Sequence, residues 1–340
     1  MSDSSPAAPA TARRLGTSGP AVFPLGLGCM GMSDFYGPAD RRESLATIHA
    51  ALDAGLNLLD TGDYYGMGHN EMLIAEALAE VPRERVVVSV KFGALRDPQG
   101  NWLGYDGRPA AVRNFVAYSL KRLRTDYIDV YRLGRLDPEV PIEETVGAIA
   151  ELIRQGYVRH VGLSEVGVET VRRAQATHPV ADLQIEYSLL SRGIEAAILP
   201  ACRELGIAVT AYGVLSRGLL SGHWAQNIAV AKGDFRAHLP RFTGANLEAN
   251  LGLVEALRAV AAEKQATVAQ LAIAWVLGSG PDIVPLVGAR QRDRLAEALG
   301  ALDLRLSEND RERIERAVPA SAAAGERYPG TLMKHLDSER

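Results

Sequence analysis

The chain has 340 residues, 47% hydrophobic and 23% charged, with a formal net charge of −4. That length suits one large α/β domain or two smaller ones, with ample apolar material for a core. The balance of charge and the lack of long Lys/Arg runs argue against a nucleic-acid partner, and no apolar run approaches the length of a membrane-spanning helix.

Residues 1–14, "MSDSSPAAPATARR", carry no apolar signal core and read as a disordered tail, so cytoplasm is the expected compartment. From about residue 24, short apolar runs alternate with helical stretches. The strand candidates are Leu25–Gly28, Leu56–Asp60, Val86–Lys91, Ile128–Leu133, Val158–Ser164, Asp182–Tyr187, Ala208–Tyr212 and Ile283–Leu286. They are near-continuous apolar runs, as expected of strands buried on both faces. Helices are predicted over Arg41–Ala54, Asn70–Ala79, Ala110–Arg124, Ile142–Gln155, Val168–Ala176, Ala196–Leu205, Val268–Leu277 and Arg292–Leu299. Several close on a glycine such as Gly55, Gly156 or Gly206. Eight βα units without a composition shift predict one (β/α)8 TIM barrel over 15–318, with 319–340 as a C-terminal tail. A doubly wound open sheet is the alternative. Long connections at 92–109 and 213–250 follow strands, so in a barrel they overhang the C-terminal face, where barrel active sites sit.

Two cysteines, Cys29 and Cys202, lie far apart and fit small buried hydrophobes better than a bridge or metal pair. Gly26-Leu27-Gly28-Cys29-Met30-Gly31 matches the dinucleotide fingerprint G-x-G-x-x-G. In a Rossmann unit those glycines open a helix. Here they run into "MSDFYGPAD", a loop, so they read as a strand end where backbone passes close to a ligand or a neighbouring strand.

Three residues carry chemistry. Asp60 ends the second strand in "GLNLLDTGDYYG", Tyr65 follows it, and Lys91 ends the third strand in "VVVSVKFG". A buried lysine beside a tyrosine favours the tyrosinate and so lowers the phenol pKa, while an aspartate keeps the lysine charged. Such a tyrosine can give a proton near neutral pH. A structural ion pair beside a surface tyrosine is the competing reading.

"GLNLLDTGDYYGMGHNEMLIAEAL" resembles the signature of the aldo-keto reductases. So do "SVKFG", "VPIEETVGAIAELIRQGYVRHVGLSE", "LQIEYSLLSR", "VTAYGVLSRGLLSG" and "IVPLVGARQRDRLAEALG", in the right order across 15–318. The resemblance implies a (β/α)8 barrel that uses NADP(H), holds no metal and reduces aldehydes and ketones. By position, Asp60, Tyr65 and Lys91 match three of four catalytic residues, with Tyr65 as proton donor and Tyr64 as a packing residue. Ser164 and Gln184 match the contacts to the nicotinamide carboxamide, and Tyr212 the ring that stacks on it. Leu215, Ser216, Arg217 and Gly218 fall in the loop crossing the pyrophosphate. Gly31 and Met32 join the cofactor contacts. Gly288, Ala289, Arg290 and Arg294 fall where the 2′-phosphate binds, and Glu297 where adenine is held. Arginines there suit a phosphate dianion and so NADPH, although by themselves they read as a solvated helix face.

The fourth catalytic residue, a histidine, is replaced by Gly134 in "DVYRLGRLDP", with the register fixed by "DP" and "VPIEET". Strand alternation points Arg132 the same way, one layer lower, where it supplies a substitute donor or pairs with Asp60 or Glu186. His69 is a second candidate replacement, with a loop or capping role as its alternative. Gly134 itself is expected to leave open space. The readings that follow are an NADPH-dependent reductase with a rebuilt pocket, a reductase of C=N substrates that need less polarisation, or a catalytically impaired NADP(H)-binding sensor or regulator. Glu165, Ala298 and Gly213 depart from common residues on the cofactor side. Phe35, Tyr36, Trp102 and Tyr105 are candidate pocket walls. The substrate, the oligomeric state and the role of the tail are not legible.

Overall fold

The computed structural model describes residues 11–33, 35–224 and 233–340. Most of the expected tail at 1–14 lies outside them. Its end does not: Arg13–Arg14 pairs antiparallel with Ala21–Val22 in a hairpin ahead of the barrel.

Eight parallel strands close on themselves in chain order. They are Gly26–Gly28, Leu58–Gly62, Val87–Phe92, Ile128–Leu133, Val158–Ser164, Val180–Glu186, Ala208–Tyr212 and Ile283–Gly288. The last pairs with the first, Gly288 opposite Gly28, and this closure rules out the open sheet. Helices packed outside bury the apolar face of every strand, which explains the continuous hydrophobic runs. Gly26 stays a glycine because a Cβ there would lie 2.5 Å from Leu286 and 2.8 Å from Leu58.

The barrel interior is layered. Leu15 and Val22 of the hairpin plug its lower end against Leu58, Val130, Val284 and Leu286. Fully burying such side chains contributes about 1.5–3 kcal/mol each. Above them the interior turns polar: Asp60, Ser89, Lys91, Arg132, Asp182, Gln184 and Thr210 are all buried. The fold thus spends its apolar layer at the bottom and holds its charges at the mouth, the end that supports chemistry in barrels.

The connection at 92–109 is no simple loop. Ala94–Arg96 and Trp102–Tyr105 form an antiparallel hairpin whose turn is held by Asp97, accepting from the backbone N–H of Gln99 and Asn101 at 2.9 and 2.8 Å. Three helices among the described residues add to the expected eight: Gly244–Glu263, Glu308–Ala317 and the single turn Gly330–Met333. The second begins with a capping box between Ser307 and Asp310. No described helix is long and apolar enough to cross a membrane.

Candidate active site

Asp60 and Lys91 stand on neighbouring strands, where the register sets Asp60 beside Ser89 and Gly62 beside Lys91. One carboxylate oxygen of Asp60 accepts from the Lys91 ammonium at 2.5 Å. The other accepts from Ser89 Oγ at 3.0 Å and Gln184 Nε2 at 2.8 Å. Both charges are nearly out of water, so pairing and full hydrogen bonding are what make the site tolerable. The Lys91 ammonium lies 5.1 Å from the centre of the Tyr65 ring.

The expected lowering of the Tyr65 pKa does not hold. Burial pushes the phenol well above its usual range, and the nearby Tyr64 and Asp60 push the same way. The reason is charge balance: Asp60 neutralises Lys91 at close range, so desolvation wins. A phenol held protonated is the form a proton donor requires. Burial likewise draws the Lys91 pKa down, with Asp60 opposing.

Arg132 pairs with neither Asp60 nor Glu186. Its guanidinium donates to Ser89 Oγ at 2.9 Å and pairs with Asp182 at 3.0 Å, inside the barrel and 1% exposed. The strand alternation was right about its direction, but Asp182 claims it below the mouth. His69 is exposed and hydrogen-bonds Ser33 at 2.8 Å. Nor does Gly134 leave open space: a Cβ there would stand 3.2 Å from the Cε1 and hydroxyl of Tyr64.

On the cofactor side, Gln184 pairs in register with Ser164. Glu165, at positive φ just after Ser164, is saturated. It accepts from Tyr212 Oη at 2.7 Å, the Glu186 N–H at 3.0 Å, Ser338 Oγ at 2.7 Å and Arg327 at 2.9 and 3.1 Å. Burial alone would push Glu165 up, but Arg327 outweighs it and holds the carboxyl far below the usual range. Glu186 pairs with Arg217 at 2.9 Å and Arg327 at 3.3 Å. Leu215, Ser216, Arg217 and Gly218 form a tight turn, with the last three at φ of 46°, 55° and 106°.

The C-terminal tail therefore belongs to the site. Arg327 comes from it, and the Tyr328 hydroxyl lies 3.0 Å from that of Tyr212. Arg217 covers the Tyr328 ring at 4.4 Å. Sequence reasoning missed both residues. The only signal was "ERYP", a charged and aromatic cluster in an Ala-rich stretch. It also missed Asn70, whose buried amide ties Cys29 O at 2.8 Å and Thr61 Oγ1 at 2.6 Å, fixing the first strand's exit to the second strand. Arg135 was missed too. Its guanidinium bonds Gly134 O at 2.7 Å and approaches Ser164 Oγ at 3.5 Å, with no ion-pair carboxylate among the described residues.

At the rim, Gly31 packs on the Arg290 side chain, which donates to Tyr36 O and Pro38 O at 3.1 and 3.2 Å. Met32 is buried beneath. Arg294 and Glu297 lie one helical turn apart at 3.3 Å, both against His223. Gly288 faces open space where a Cβ would stand. Phe35 and Trp102 gather round the mouth, 6.1 Å from Tyr65 and 5.6 Å from Tyr64, ring centre to ring centre.

The closed barrel is a (β/α)8 TIM barrel, with a buried Asp60–Lys91 pair beside Tyr65 at its C-terminal mouth, and the family it matches is one of oxidoreductases. The aldo/keto reductase family model matches residues 24–319. A probable aldo-keto reductase of Glycine max is 42% identical over 316 residues, 93% of this chain and 91% of the relative. Among solved structures, a glycerol dehydrogenase of Gluconobacter oxydans superposes with a TM-score of 0.82 at 29% identity, covering 97% of both chains. An aldo-keto reductase of Bacillus halodurans gives 0.75 at 28% identity, covering 93% of this chain and 98% of its own. The chain belongs to the aldo-keto reductase family.

Proposed function

We propose that the protein is an NADPH-dependent reductase of a small carbonyl compound, or of a related C=N compound, with Tyr65 as proton donor. The observation that carries this is the buried Asp60–Lys91 pair, with its ammonium 5.1 Å from the centre of the Tyr65 ring. A protein that only bound the cofactor would have no use for that group.

The residues fit a nicotinamide dinucleotide. Ser216 Oγ is buried without a hydrogen-bond partner among the described residues, in a turn of left-handed residues. Successive N–H groups in such turns make anion cradles. Leu215, Arg217 and Gly218 would hold the pyrophosphate there. Ser164 and Gln184 would bind the carboxamide, and Tyr212 would stack on the ring. Gly31, Met32 and Gly288 would line the adenosine end, Arg290 and Arg294 would take the 2′-phosphate, and Glu297 the adenine.

NADPH held by these residues would supply a hydride for the carbonyl carbon. Tyr65 gives its phenolic proton to the oxygen on which the C=O electron pair collapses. Lys91 faces the resulting tyrosinate until water reprotonates it. Asp60 keeps Lys91 charged and fixed. Phe35 and Trp102 stand as an aromatic wall beside Tyr65 and Tyr64.

The test is NADPH oxidation against 4-nitrobenzaldehyde, methylglyoxal, cyclohexanone and 1-pyrroline. Tyr65→Phe is expected to lower turnover about 10²–10⁴-fold. Tight NADPH binding without turnover of any of the four would favour the sensor.

A further inference from the structure

The histidine volume is not empty, and what fills it is chemically able. A side chain at 134 would collide with Tyr64, 3.2 Å from its hydroxyl and Cε1, and with Phe92 O at 3.3 Å. The same ring also lies 3.4 Å from where a Cβ of Gly62 would be. Two glycines on neighbouring stretches thus make room for one phenol. Trp102 braces the ring at 5.6 Å between centres, edge on. The Gly134 N–H bonds Phe92 O at 2.7 Å and the Asp63 N–H bonds Lys91 O at 2.9 Å, so both walls are fixed to the third barrel strand.

We propose that Tyr64 is a catalytic residue: its hydroxyl takes the place of the absent histidine and donates a hydrogen bond to the substrate oxygen beside Tyr65. This rests on the reductase reading above. The two rings meet edge to face, 4.9 Å between centres. A carbonyl oxygen has two lone pairs, so it receives the Tyr65 proton on one and the Tyr64 O–H on the other. Burial keeps the Tyr64 phenol protonated, while the Arg135 charge pulls its pKa the other way and strengthens it as a donor. Tyr64 is partly exposed, unlike Tyr65. The two other candidates are committed elsewhere, Arg132 to Asp182 and His69 to Ser33.

The proposal separates the hydroxyl from the ring. With 4-nitrobenzaldehyde and NADPH, Tyr64→Phe is expected to lower kcat/KM about 10²-fold, the usual loss of one preorganised donor. Tyr64→Leu should fall no further, and both should keep the parent's affinity for NADPH. Because Tyr64 raises the Tyr65 pKa, Tyr64→Phe should also move the alkaline limb of the kcat/KM profile to lower pH. Thermal unfolding of each variant reports on folding. A Tyr64→Phe variant matching the parent in rate and alkaline limb overturns the role, as does one that rescues a loss seen only in Tyr64→Leu. No turnover by the parent overturns the reductase reading itself, and the role with it.

Discussion

Two ionic clusters share the barrel mouth, and they are built differently. Asp60, Lys91, Ser89 and Gln184 all stand on barrel strands, with one carboxylate facing one ammonium. Glu165 and Glu186 instead face three arginines, Arg217, Arg241 and Arg327, drawn from two loops and the C-terminal tail. The first cannot open without breaking the barrel, and it leaves one flank of the ammonium to Tyr65. The second uses every oxygen of Glu165 and can open when one segment lifts. The difference teaches that burial of charge serves two ends here: one cluster fixes an ammonium beside Tyr65, the proposed proton donor, and the other clamps the C-terminal segment against the barrel mouth.

Separate losses would sharpen that contrast. Lys91→Met is expected to lower kcat/KM about 10²–10⁴-fold, measured by NADPH absorbance. Arg327→Ala should instead strike stability, by about 3–5 kcal/mol in urea unfolding, because it strands buried carboxylates. Adding Glu165→Gln should restore much of it. If Arg327→Ala costs as much turnover as Lys91→Met, the clusters are one machine and the contrast fails.

A smaller effect is expected with acid. Burial would raise Glu165 and Glu186, but their arginines prevail and hold both below the ordinary value of about 4.3. Folded pKa values below the unfolded ones mean that this contribution is whole above that value. It is lost as pH falls through the folded values. Urea midpoints should drop more steeply below about pH 4 in the parent than in the Arg327→Ala/Glu165→Gln double variant.

The barrel was legible because strands buried on both faces write themselves as unbroken apolar runs. Ile128–Leu133, Val158–Ser164 and Ala208–Tyr212 match to the residue. The helix Gly244–Glu263 was not, since Gly244 and Gly252 weaken its helical signal. Asp60, Tyr65 and Lys91 were found by motif and do come together. The Arg132 partner was misjudged, because spacing gives a side chain's direction but not which of several buried acids meets it. The Glu165–Arg327 pair spans 162 positions, and no local pattern links two charges so far apart. In "DYY", nothing in the letters tells which ring is fully buried and which is partly exposed.

The tail's attachment has a consequence for how the protein is made. The barrel can close once Gly288 leaves the ribosome, since its last strand then meets Gly28. The site cannot. Asp337 accepts from the Gly167 N–H and Thr170 Oγ1, and Ser338 bonds Glu165. Arg327 and Ser338 follow Gly288 in the chain, so every barrel strand is made before the tail residues that seal Glu165.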